Sequence, residues 1–237
     1  MPLDRRPITG AVHRRRHRFS YIIIVALIVA FFVLAELVSR GITQAWDQAT
    51  ILSLRSGGNI ADPIGPAWME EAGRDVTALG SYIVLVFLVA SATGFLALLG
   101  RWRLVGLLAA SVIGGMVISA LLKFGFDRPR PDIPHSARVF TASFPSGHAT
   151  LSTVVFLVIG GLLTRTTEDP QIRSYFVSLS IILTVAVGFS RLYLGVHYPT
   201  DVLAGWLVGG AWALGCWTIA SKLEAKSSAV ASTRDLR

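Results

Sequence analysis

Six stretches of the chain contain no charged side chain: residues 19–35, 76–100, 104–122, 149–164, 174–190 and 202–221. In hydrocarbon a backbone must satisfy its own N–H and C=O groups, so runs of this kind are restricted to helices. A helix crosses the membrane with about 20 residues, which the first, third and last stretches approach and the second exceeds with room for tilt. The fourth and fifth are short, and they span only if polar residues extend them into an aqueous site. The expected fold is therefore all-α, a polytopic membrane protein with six transmembrane helices. Composition agrees, because only 15% of the 237 residues are charged, against about 25% in soluble domains. The single cysteine, Cys216, excludes a disulfide framework or a thiolate metal site within one chain.

The charge distribution predicts orientation. With the N-terminus inside, 14 of the 22 Lys and Arg residues fall on the cytoplasmic side, six of them in the first eighteen residues. Residues 1–18 read as a basic cytoplasmic head beside anionic lipid, not a nucleic-acid arm. The apolar run after it is longer than a signal-peptide core and has no A-x-A site, so it reads as a retained first span. Residues 19–221 form one membrane domain, and 222–237 a frayed cytoplasmic tail. Both termini are expected in the cytoplasm. Within the domain, residues 41–76 mix Trp46 and Trp68 with five carboxylates, a pattern suited to the headgroup level or to an inert connector. Gly57-Gly58 and Asp62-Pro63 are expected to split this segment into two short helices.

Three polar clusters interrupt the apolar pattern: Lys123 with Arg128-Pro129 and Arg130-Pro131, then Pro145-Ser146-Gly147-His148, then Ser190-Arg191 with His197 and Asp201. Ionisable groups near membrane depth are costly and mark function by default. The third and fifth spans run in the same direction, so both loops emerge on the outer face and all three clusters can share one pocket. Lysine, arginines and two histidines together suit a tetrahedral oxyanion such as phosphate. Ser146 and Gly147 precede an apolar helix whose free N–H groups favour an anion; taken alone, the segment reads first as a common turn with Ser146 as cap. His197 and Asp201 lie four apart, so the carboxylate can orient the imidazole and leave its other nitrogen as a nucleophile. Alone, the pair also reads as a helix cap beside an interfacial histidine. His148 would be the general acid. No carboxylate cluster of the two-metal kind faces these loops, so the chemistry is expected to need no metal or other cofactor.

In this order and spacing, Lys-x6-Arg-Pro, Pro-Ser-Gly-His and Ser-Arg-x5-His-x3-Asp resemble the signature of the type-2 phosphatidic acid phosphatase superfamily, over residues 123–201. The resemblance implies six helices, a site at the outer face of the cell (inner) membrane, and dephosphorylation of a lipid phosphate or diphosphate through phosphohistidine. It assigns His197 as nucleophile, Asp201 as its partner and His148 as acid, with Lys123, Arg130, Ser146, Gly147 and Arg191 holding phosphate. Arg128 also precedes a proline and is kept as a second candidate, although the spacing selects Arg130. Undecaprenyl pyrophosphate, phosphatidylglycerophosphate and phosphatidate are the substrates it suggests. Transfer to a lipid acceptor, or non-catalytic binding of lipid phosphate, are the competing functions. Membrane lipids are the only other expected partners, and a monomer suffices for the site.

Overall fold

The computed structural model describes residues 8–134 and 141–234, with side chains described between Arg18 and Leu223. The first seven residues of the basic head, Arg138 and the last three residues of the tail lie outside the described residues. The elements are α1 (Ile8–Ser39), α2 (Gln44–Ser53), a hairpin of β1 (Arg55–Ser56) and β2 (Asn59–Pro63), α3 (Ala67–Ala78), α4 (Tyr82–Leu98), α5 (Trp102–Phe126), α6 (Gly147–Leu163), α7 (Pro170–Tyr193) and α8 (Pro199–Arg234).

The six charge-free stretches all fall within or across helices. Among the described residues, four helices are long and apolar enough to cross a membrane: α1 over Arg18–Ser39, α5, α7, and α8 over Pro199–Leu223. A fifth crossing arises if α3 and α4, bent by 45° at their junction, are taken as one span, whereas α6 has only 17 residues. The shortness of α6 goes with its position. Eleven of its residues are buried, as expected of a helix apolar all round that packs among others. Its Val154, Val158 and Leu162 join Leu108 of α5 and Ala213 of α8 in one cluster, and its Leu151, Val155 and Phe156 join Leu85 of α4 and Val187 of α7 in another. The outer helices face away from this core with large apolar side chains, among them Ile22, Phe32, Phe87, Leu98, Leu121 and Phe124.

Close approach of α8 to α6 depends on glycine. A Cβ on Gly205 would stand 2.9 Å from the Ser146 carbonyl, and one on Gly209 would stand 2.7 Å from that of Thr150. Small residues four apart are what allow two membrane helices to touch backbone to backbone. The start of α8 is thereby held against the start of α6, and the Ser146 N–H donates to the Asp201 carbonyl at 2.9 Å.

Two expectations change. Gly57-Gly58 and Asp62-Pro63 do more than separate a pair of helices; they build an antiparallel hairpin between them, with Ser56 opposite Asn59 and Arg55 opposite Pro63. Paired glycines supply the turn, and Pro63 closes the edge. The frayed tail also differs, since the α8 backbone stays helical to Arg234; Leu223-Glu224-Ala225-Lys226 contains good helix formers and neither Gly nor Pro interrupts it.

Candidate active site

The C-terminal ends of α5 and α7 and the N-terminal ends of α6 and α8 meet at one end of the bundle, and each delivers part of the polar set. Lys123 sits in the last turn of α5, which Asp127 ends in the left-handed region at φ 37°, a conformation that aspartate tolerates better than most residues. The chain then turns through Arg128 and Arg130. Phe144, fully buried against Phe31 and Phe126, anchors the returning loop immediately before the cis bond to Pro145. Ser146 caps α6, its side chain accepting from the Ala149 N–H. Arg191 lies in the last turn of α7. There Gly195 at φ 70° lets its N–H reach Leu192 and that of Val196 reach Arg191, the Schellman closure that only a left-handed residue completes easily. His197 follows directly.

His197 is buried and flanked by opposite chemistries. Its Nδ1 lies 3.2 Å from Ser143 Oγ, which donates to Asp201 Oδ2 at 2.5 Å; the direct Nδ1 to Oδ2 separation is 3.5 Å. Because the serine proton is given to the carboxylate, the serine oxygen accepts from Nδ1–H, and the lone pair resides on Nε2. Nε2 faces Arg130 Nη1 at 3.0 Å. Burial pushes the imidazole down to about 4; Asp201 pulls it up, and Arg130 and Arg191 push it down further. The ring is therefore neutral at physiological pH.

On the Nε2 side the groups are cationic. Arg130 is held by the Val196 and Thr141 carbonyls, each accepting at 2.9 Å. The Lys123 ammonium donates to the Ala142 carbonyl at 2.6 Å. Arg191 donates to Thr77 Oγ1 at 2.8 Å, while its buried Nε–H has no hydrogen-bond partner among the described residues. His148, half-buried at the start of α6, is within electrostatic reach of Arg191, His197, Arg130 and Lys123. Gly147 lets the lysine stem pass over the helix start, since a Cβ there would stand 3.3 Å from Lys123 Cε. Helix-start N–H groups, an orphaned guanidinium donor and clustered cations are together chemically suited to a multiply charged oxyanion.

Arg128 is placed elsewhere, and its candidacy as a phosphate ligand is corrected. Nη1 donates to Thr200 Oγ1 and Asp201 Oδ1, and Nη2 to Gln44 Oε1 and Asp47 Oδ2. The guanidinium also lies over the Tyr198 ring at 4.4 Å. Burial disfavours its charge, but the two carboxylates outweigh that and raise its pKa. Both terminal nitrogens are committed to the protein, so they are not free for a ligand.

Several residues of this arrangement do not belong to the signature, among them Asp47, Thr77, Ser143 and Thr200. Asp47 left a trace in the sequence, an acid one helical turn before the buried Ile51 on the same face of α2. Ser143 stands two positions before Pro145. Two interhelical clefts of about 710 and 770 Å³ lie near Trp217 and near Trp212, and neither is lined by His148 or His197.

The sequence profile of the PAP2 superfamily matches residues 104–225, just over half the chain. Phosphatidylglycerophosphatase B of Bacillus subtilis is 32% identical over 190 residues, covering 78% of this chain and 88% of that protein. An undecaprenyl-diphosphatase of Sulfolobus acidocaldarius is 32% identical over 124 residues, 49% of this chain and 56% of its own length. A crystal structure of a transmembrane PAP2 type phosphatidylglycerolphosphate phosphatase from Bacillus subtilis superposes with a TM-score of 0.70 and 25% identity, over 84% of this chain and 96% of that one. The chain belongs to the PAP2 superfamily and is a membrane lipid phosphatase.

Proposed function

We propose that the protein hydrolyses a lipid phosphate or diphosphate without a metal, through a phosphohistidine at His197. The observation that carries this is the two-sided setting of His197: Nδ1 tied through Ser143 to Asp201, and Nε2 directed at Arg130. A phosphoryl group would enter at Nε2 in place of the arginine contact. Lys123, Arg130, Arg191 and the N–H groups at Gly147 and His148 would hold its oxygens, with Ser146 shaping and capping the helix start. Nε2 then attacks phosphorus in line, the bond to the leaving oxygen breaks, and His148 gives that oxygen a proton. In the second half His148 takes a proton from water, the hydroxide oxygen bonds to phosphorus, the N–P bond breaks, and inorganic phosphate leaves. Asp201, through Ser143, stabilises the positive charge on the phosphorylated ring. The cations supply the charge neutralisation that a metal ion would otherwise provide.

Six crossings, with α6 completed by its polar ends, would put both termini in the cytoplasm and the site on the opposite face of the cell membrane; the excess of Lys and Arg at the other end supports this orientation. Phosphatidylglycerophosphate stands first among the three candidate substrates, because the relative matched over most of its length is named for it.

The test is phosphate release by detergent-purified protein in excess EDTA, comparing undecaprenyl pyrophosphate, phosphatidylglycerophosphate and phosphatidate, beside His197→Ala. EDTA-resistant release that disappears in the variant is expected. Release undiminished in His197→Ala would overturn the mechanism, and phosphate appearing only on an added acceptor lipid would make the protein a phosphotransferase.

A further inference from the structure

Asp47 lies outside every segment of the signature, on α2, yet it is fully buried and its contacts converge on the start of α8. Oδ2 accepts from Arg128 Nη2 and from Thr200 Oγ1, each at 2.7 Å, and from Thr43 Oγ1 at 3.1 Å. Oδ1 accepts the Thr200 backbone N–H at 3.1 Å. Thr200 is the second residue of α8, and its N–H is one of the donors a helix start leaves without an intrahelical acceptor. Asp47 supplies that acceptor from another helix, with the charge the helix dipole favours.

The same carboxylate fixes Arg128. With Gln44 and Asp47 on Nη2 and the Tyr198 ring beneath its plane, the guanidinium can present Nη1 only toward Thr200 and Asp201. That contact occupies Asp201 Oδ1 and leaves Oδ2 to Ser143, to the Tyr198 N–H and to the side of His197. Asp201 is also within electrostatic reach of Lys123 and Arg130. A carboxylate no longer held by Arg128 would be drawn toward those cations and away from Ser143. We propose that Asp47 is a positioning residue of the reaction: through Arg128 and Thr200 it fixes the rotation of Asp201, and so holds His197 in the Nδ1–H form with Nε2 free. The inference rests on the role given above to His197, and it makes α2, a segment before the signature, part of the catalytic apparatus.

The test uses Asp47→Asn in the full chain, with the exposed Glu36→Gln as control. Expected is a fall in kcat of about 10–100-fold with KM changed less than about twofold, while Glu36→Gln behaves as wild type. In protein with 15N-labelled histidine, the His197 ring, identified by its loss in His197→Ala, should pass from one Nδ1–H tautomer to a mixture. Wild-type kcat with an unchanged tautomer would overturn the proposal, as would a loss of activity that only follows the fraction of folded protein. If Asp47→Asn does not fold, Thr200→Val carries the same test, because it removes the bridging hydroxyl and keeps both charges; failure of both variants to fold would mean that Asp47 is structural only. The tautomer is read without turnover. A wild-type protein that hydrolyses no lipid would therefore refute the proposed function and still leave the spectra to decide whether Asp47 orients the ring.

Discussion

The two sides of the His197 ring are built from similar residues with opposite bookkeeping of charge. Beyond Nε2 stand Lys123, Arg130 and Arg191, whose hydrogen bonds go to backbone carbonyls, threonine hydroxyls and the ring itself, with no carboxylate among the described residues bound to any of them. Beyond Nδ1 stand Asp201, Arg128 and Asp47, in which one guanidinium joins two buried carboxylates at 2.7 Å each. Burying charge is costly unless it is compensated. The compensated side is a scaffold, and the uncompensated side retains its attraction for an anion. Arg128-Pro129 and Arg130-Pro131 are consecutive dipeptides of the same type, yet one is on each side.

The open side loses most when the ring itself is removed. His197→Ala should lower phosphate release by about 10⁴-fold or more, and His148→Ala by about 10²–10³-fold; single-turnover assays with labelled lipid measure both. If the alanine at 148 is as active as wild type, another group gives the proton to the leaving oxygen.

Substituting the two arginines in turn separates the sides by their readouts. Arg130→Ala should lower kcat/KM by about 100-fold while leaving thermal unfolding in detergent almost unchanged, as for loss of a donor to a developing oxyanion. Arg128→Ala should instead cost about 3–5 kcal/mol of stability, because Asp47 and Asp201 are left buried without their cation. Equal thermal stability of the two variants would abolish the distinction between scaffold and receptor.

The pH dependence tests the neutrality of the ring. Burial disfavours the imidazolium, so protonation removes the nucleophile only as pH falls toward about 4. The acid limb of kcat/KM assigned to His197 should accordingly lie well below the ordinary histidine value of 6.5. Burial and the surrounding cations lower His148 as well, so its proton has to be retained by the charge of the bound phosphate, and the alkaline limb should appear in kcat, where substrate is bound, and not in kcat/KM. An acid limb near 6.5 that does not follow the ionisation of the substrate phosphate would place the ring in water. A smaller effect is expected from Ser143→Ala, about ten- to a hundredfold in kcat, the equivalent of one hydrogen bond to a buried carboxylate. Wild-type kcat in this variant would show that Asp201 acts on the ring directly and not through the serine.

The helices were legible because hydrocarbon imposes a local rule: a run such as 104–122, with no charge to solvate, has few options beyond a helix. The grouping of Lys123, Arg130, Ser146, Gly147, His148, Arg191, His197 and Asp201 was legible as well, since each stands within a few residues of a helix end and parity sends those ends to one side. The hairpin over 55–63 was not, because Gly57-Gly58 marks a break without saying what pairs across it. Nor was the shortness of α6 informative in isolation; its meaning came from being enclosed by α4, α5, α7 and α8.

Local composition and spacing along the chain are enough to specify a helical membrane protein with a basic, histidine-bearing cluster between its third and sixth apolar stretches. It took packing in three dimensions to bring Asp47 to Thr200, 153 positions away, to set Ser143 between His197 and Asp201, and to commit Arg128 to Asp47 and Asp201. Those contacts depend on how the helices cross, on glycines such as Gly205 that let backbones approach, and on which carboxylate reaches which guanidinium; none of them is encoded in the spacing of a motif.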